Sequence, residues 1–76
     1  MKKVCLMDAK PNKKYCVCEI SLEEKIKAHL SNLGLEINTE IILLKHNYLK
    51  TTFLIKFLNI NYAVDGQILK GIFVYE

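Results

Sequence analysis

Ser21-Leu22-Glu23-Glu24-Lys25-Ile26-Lys27-Ala28-His29-Leu30-Ser31-Asn32-Leu33-Gly34-Leu35 carries a start signal, an apolar face and a stop. Its reading decides the fold. Ser21 and Glu24 have the spacing of a capping box, in which the serine oxygen accepts from the Glu24 backbone and the glutamate carboxylate reaches back. Leu22, Ile26, Leu30 and Leu33 recur at helical spacing and make one apolar stripe. Glu23 and Lys27 stand four apart, in the favourable order for an exposed ion pair. Gly34 lies where a helix ends in a left-handed residue, and Leu35 can then fold back on Leu30. The spacing predicts a helix over 21–33.

Beyond Gly34 the period changes to two. Residues 40–46 form an Ile- and Leu-rich strand, 45–50 a polar loop centred on Asn47, and 51–58 a second strand. Asn59 marks a turn, 60–64 a short strand, 65–70 a helical turn capped by Asp65, and 71–75 a last strand. Upstream, Asp8-Ala9-Lys10-Pro11-Asn12 is a turn, with proline presetting one dihedral and asparagine tolerating a left-handed one. Residues 14–20 then form a strand. Five short strands with one helix inserted after the first cannot make a sandwich. They predict a mainly β fold: a small, partly open barrel that covers its edges by closing on itself, with a helical turn before its last strand.

At 76 residues the chain has the size of one domain, spanning 1–76. A chain this short buries only about 60% of the surface it exposes when unfolded, leaving little for a deep cleft. Its 51% hydrophobic and 25% charged content is that of a globular protein. The net charge of +3 comes from lysine alone; arginine is absent. Bidentate readout of phosphates and guanines favours the guanidinium fork, so this balance argues against specific nucleic-acid recognition. The apolar runs 41–44 and 53–58 are far below the ~20 residues that span a bilayer. Asp8 and Lys10 interrupt the early Val4-Cys5-Leu6-Met7 run before a signal-peptide core can form. Three cysteines cannot all pair within one chain, which fits a reducing cytosol. The expected location is cytoplasmic.

Few residues carry chemistry. Cys16 and Cys18 lie two apart on a strand and would point to one face about 7 Å apart. With Cys5 and His29 or His46 they could contribute to a soft metal site. Structural zinc sites more commonly use Cys-x-x-Cys spacing, and cysteine is also a small, readily buried hydrophobe. His29 and His46 lack a partner pattern. There is no phosphate-cradling glycine loop and no Ser/His/Asp arrangement. No catalytic residue, metal ligand or cofactor is assigned, and the expectation is a binding protein, not an enzyme.

The order of these pieces resembles the FeoA family, small cytosolic SH3-like proteins that accompany the ferrous-iron transporter FeoB; the fold also recurs as a C-terminal domain of iron-dependent repressors. The resemblance covers roughly residues 6–76. It rests on Ala9 to Lys14, on His29 to Leu35 continuing through Asn38-Thr39-Glu40-Ile41, on the alternating Phe53, Ile55 and Phe57, and on Ala63-Val64 through Ile72-Phe73-Val74. The family usually has glycine where this chain has Asn12, Asn38 and Asn59, and asparagine is the next most tolerant residue of the left-handed region. It often has arginine where His29 stands.

The resemblance implies a non-catalytic accessory protein of ferrous-iron uptake that binds and regulates a FeoB-type membrane GTPase transporter, touching the membrane only through that partner. A homo-oligomer is also compatible, and no nucleic acid is expected. If Phe53, Ile55 and Phe57 fill the barrel, Leu54 and Leu58 fall on the opposite face, where they pack under the helix or form a patch. The expected contact set is therefore His29, Leu30, Leu33, Gly34, Leu35, Leu54 and Leu58. The competing readings are an SH3-like nucleic-acid-binding barrel and a thiol-based transition-metal-binding protein.

Overall fold

A two-residue period with β-branched and aromatic residues at every second position suits a pleated surface packed on one face. The strands it produces are Lys3–Cys5 (β1), Lys14–Ile20 (β2), Glu40–His46 (β3), Thr52–Phe57 (β4), Ile60–Asp65 (β5) and Ile72–Tyr75 (β6). Glu24–Leu33 (α1) lies between β2 and β3, and Gly66–Leu69 (α2) between β5 and β6. The structure is a computed structural model and describes residues 2–76.

All strands join one antiparallel sheet in the order β1-β6-β2-β3-β4-β5. The mainly β, partly open barrel expected from the period is the fold found, and it is SH3-like as the family resemblance implies. β1 is an addition: its three residues pair with β6 through Val4 opposite Val74, so the helix follows the second strand of six. Among the described residues β1 and β5 are not paired to each other, so the sheet curls round the core without closing. Two register shifts sharpen the curl, one between Val17 and Glu19 and one between Leu43 and Lys45. The first explains how Val17 and Ile20, three apart, both face inward.

Leu6, Val17, Leu35, Ile41, Ile55, Leu69, Ile72 and Val74 are fully enclosed. Burying each such side chain contributes roughly 1.5–3 kcal/mol. Tyr15 is buried too, and its hydroxyl accepts from the Lys10 backbone N–H at 3.0 Å, tying the 8–12 turn to β2. Asn12, Asn38 and Asn59 have φ of +64, +76 and +64, so each asparagine stands where the backbone is left-handed. Asp65 caps α2 as expected, accepting from the Gln67 N–H at 2.8 Å.

The helix start is corrected. α1 begins at Glu24 with Glu23 as its capping residue, and no side chain closes that end. Ser21 is occupied elsewhere: its backbone N–H donates to the Gly71 carbonyl at 2.7 Å, holding residues 21 and 22 against β6. Leu33 also departs from the expected stripe. Leu22 and Ile26 are half-buried and Leu30 is buried, but Leu33 points outward, because the chain reverses at Gly34 and Leu35 closes the core below Leu30.

Candidate functional site

Gly34 (φ +102) stops α1 by the two-bond pattern of a Schellman turn: its N–H reaches the Ser31 carbonyl at 2.9 Å, and the Leu35 N–H reaches the Leu30 carbonyl at 2.9 Å. The segment that follows is held at several points. The Thr39 hydroxyl accepts from the Glu36 N–H at 3.0 Å and donates to the Gly34 carbonyl at 3.3 Å, while Ser31 Oγ donates to Glu36 Oε1 at 2.9 Å. Asn38 supplies the left-handed third position of the Glu36–Thr39 turn, and its N–H donates to the Val17 carbonyl at 2.7 Å.

Across from this junction is the tip of the β4–β5 hairpin. Its two-residue turn, Leu58-Asn59, has positive φ at both positions (+53 and +64), the pattern that matches strand twist in tight hairpins. Asparagine suits that backbone; leucine does not, and holding it there costs on the order of 1 kcal/mol. Leu58 lies directly on Gly34, in the space a β-carbon would occupy, yet remains 61% exposed. Leu33 and Ile37 on one side and Leu58 and Ile60 on the other are exposed apolar side chains at this end of the molecule. Beside them runs an open groove lined by Lys14, Glu40, Ile42, Lys56 and Phe57.

The structure divides the expected contact set. Leu30 and Leu35 are core residues and out of reach of a partner. His29 and Leu33 are exposed on α1, Gly34 lies partly covered beneath Leu58, and Leu54 is half-buried on the outer face of β4 beside Lys45 and Ala63. Leu54 and Leu58 therefore do not form one patch: the turn carries Leu58 to the helix stop. Ile37 and Ile60 were not in that set. The sequence signal for Ile37 was its place before a turn asparagine, while Ile60 shares the inward face of Phe57 and is exposed only because the sheet ends there.

The cysteines are spread along the sheet. Cys16 donates to the Asn38 carbonyl at 3.4 Å, Cys5 to the Leu69 carbonyl at 3.4 Å, and Cys18 lies in the β2 bulge. Among the described residues no three His, Cys, Asp or Glu side chains come together in a metal-binding group. His46 is tilted against Phe53 with its Nδ1 2.8 Å from the Asn47 carbonyl. Near the bulge, Lys3 Nζ donates to Glu19 at 2.7 Å and lies over the Phe73 ring; that hydrogen bond and the carboxylate's charge raise the lysine above its ordinary value of 10.5.

The helix stop, the turn asparagines and the β6 pairing run through one continuous match, residues 4–76, to the family model of the FeoA domain. The chain belongs to the FeoA domain family. No curated protein sequence matches it. Among solved structures it is similar to the iron uptake regulatory protein FeoA, with TM-score 0.81 and 19% identity, covering 96% of each chain. It is similar to a FeoA-like protein from Clostridium acetobutylicum, with TM-score 0.84 and 19% identity, covering 99% of this chain and 87% of that one. A manganese-dependent transcriptional repressor shares the fold over 97% of this chain and 41% of its own length, with TM-score 0.86 and 11% identity. No helix among the described residues of this FeoA-domain chain is long and apolar enough to cross a membrane.

Proposed function

We propose that this chain is a cytoplasmic, non-catalytic accessory protein of ferrous-iron transport that binds a FeoB-type membrane GTPase transporter and regulates it. Membership of the FeoA domain family supports the transport role. The observation that carries the binding role is Leu58. A leucine held in left-handed backbone and left largely exposed works against stability at that position. Its place over Gly34, with Leu33, Ile37 and Ile60 at the same end, supports a use in contact with another surface. Within this surface the rigid Gly34–Thr39 segment keeps the contact preformed, so little ordering entropy is lost on binding.

The test is Leu58→Asn, measured by thermal unfolding and by titration against the cytosolic part of the transporter. Asparagine relieves the backbone, so stability stays within about 1 kcal/mol of the parent chain. Affinity falls at least about tenfold, roughly 1.4 kcal/mol. GTP hydrolysis by the transporter, followed with and without the parent chain, reads the regulatory part. Absence of any association between the parent chain and the transporter would sink the reading.

A further inference from the structure

The β3–β4 loop is the second place where apolar side chains stand in water. Tyr48 is 98% exposed and Leu49 73%. The loop that carries them is built firmly. Asn47 Oδ1 accepts from the Thr51 and Thr52 N–H groups at 2.9 and 3.1 Å, Asn47 Nδ2 donates to Thr51 Oγ1 at 2.9 Å, and the Asn47 N–H donates to the Thr52 carbonyl at 3.0 Å. Lys50 takes up a left-handed φ of +56 to close the turn. A tyrosine and a leucine are thus presented side by side at a convex tip, with no groove of their own to fill.

The charged residues that flank the tip in sequence, Lys45 and Lys50, are both basic. Between Glu40 and Asp65 the sequence has no acidic residue and three lysines, Lys45, Lys50 and Lys56. Lys56 lies at the far end of β4, in the groove beside Leu58, so Lys45 and Lys50 are the lysines of this stretch that flank the loop. Two carboxylates lie at the base of the loop. Asp65 is turned into the cap of α2, and Asp8 lines the groove below Lys50. Lys45 and Lys50 flank the tip itself and are exposed.

We propose that the Tyr48-Leu49 tip docks on an anionic lipid surface, with the leucine entering the headgroup–acyl boundary, the tyrosine lying at headgroup level and the flanking lysines facing lipid phosphates. An aromatic and an aliphatic side chain framed by lysines is the pattern that favours this interface, and each lysine near an anionic leaflet adds to it. Two apolar side chains make the contact weak and reversible. This inference does not depend on the transporter partnership.

The chain has no tryptophan, so Leu49→Trp places a single reporter at the tip. Its emission shifts to the blue on vesicles containing roughly 30 mol% phosphatidylglycerol, does not shift on pure phosphatidylcholine, and reverts in about 0.5 M salt. In co-sedimentation, the unsubstituted chain pellets with the anionic vesicles. The double variant Tyr48→Ser/Leu49→Ser loses at least about fivefold in partition coefficient while its thermal unfolding is unchanged, because both side chains lie outside the core. Lys45→Gln/Lys50→Gln weakens binding and flattens its salt dependence. Equal pelleting of the serine variant overturns the proposal. So does a blue shift that appears only when a protein partner is added, which would assign the tip to a protein contact.

Discussion

The two ends of α1 are fixed in opposite ways. At its C-terminal end the bonds that stop the helix are all local: Gly34 turns left-handed, its N–H and that of Leu35 return to Ser31 and Leu30, and Thr39 clips back to the Gly34 carbonyl. At its N-terminal end the decisive partner is Gly71, some fifty residues along the chain. A β-carbon at Gly71 would run into Leu22 and would stand 2.6 Å from the Ser21 carbonyl oxygen. Gly34 is therefore required by its dihedral angle and Gly71 by lack of space. A local signal read from sequence can succeed only at the first kind of end.

The largest test of that contrast is Gly71→Ala. Its obstacle includes backbone, which cannot move without breaking the Ser21–Gly71 hydrogen bond, so the loss is about 3 kcal/mol or more in denaturant unfolding. A loss below about 1 kcal/mol would show that residues 21 and 22 are free to yield. Gly34→Ala comes next, at about 1–2 kcal/mol, the cost of a left-handed alanine. There the obstacle is the end of the flexible Leu58 side chain, so Gly34→Ala also changes the exposed apolar end while the core stays intact. Ser21→Ala is the smallest. A working N-cap would lose about 1 kcal/mol, whereas Ser21 engaged through its backbone N–H loses less than about 0.5 kcal/mol in the same assay.

What could be read from the sequence follows the same division. The helix stop, the β3–β4–β5 meander, the Asp65 cap and the Asn12 and Asn59 turns are set by neighbouring residues, and each was legible; Asn38 stood out only through the resemblance to a family with glycine there. β1 was not: Lys3-Val4-Cys5 is too short for a period, and it is a strand only because Val74 lies opposite Val4. The capping box misled because its competitor, the Gly71 carbonyl, comes from just before β6. The candidate surface was half legible. Alternation put Leu54 and Leu58 together, and only the Leu58-Asn59 turn, unusual for leucine, separates them and carries Leu58 onto Gly34. The left-handed backbone of Leu58 and Lys50 has no sequence signal, because neither residue type favours it.

The sheet order has a consequence for how the chain is made. β6 follows all the other strands in sequence but lies between β1 and β2 in the sheet. As the chain is synthesised from its N-terminus, β3, β4 and β5 can pair as soon as they emerge, since each meets its neighbour through a short connection. β1 must wait with no partner, and β2 must wait with one bare edge, until residues 72–75 have been made. The incomplete chain therefore presents an open sheet edge that the finished one hides, and that interval is when it is most exposed to wrong pairing.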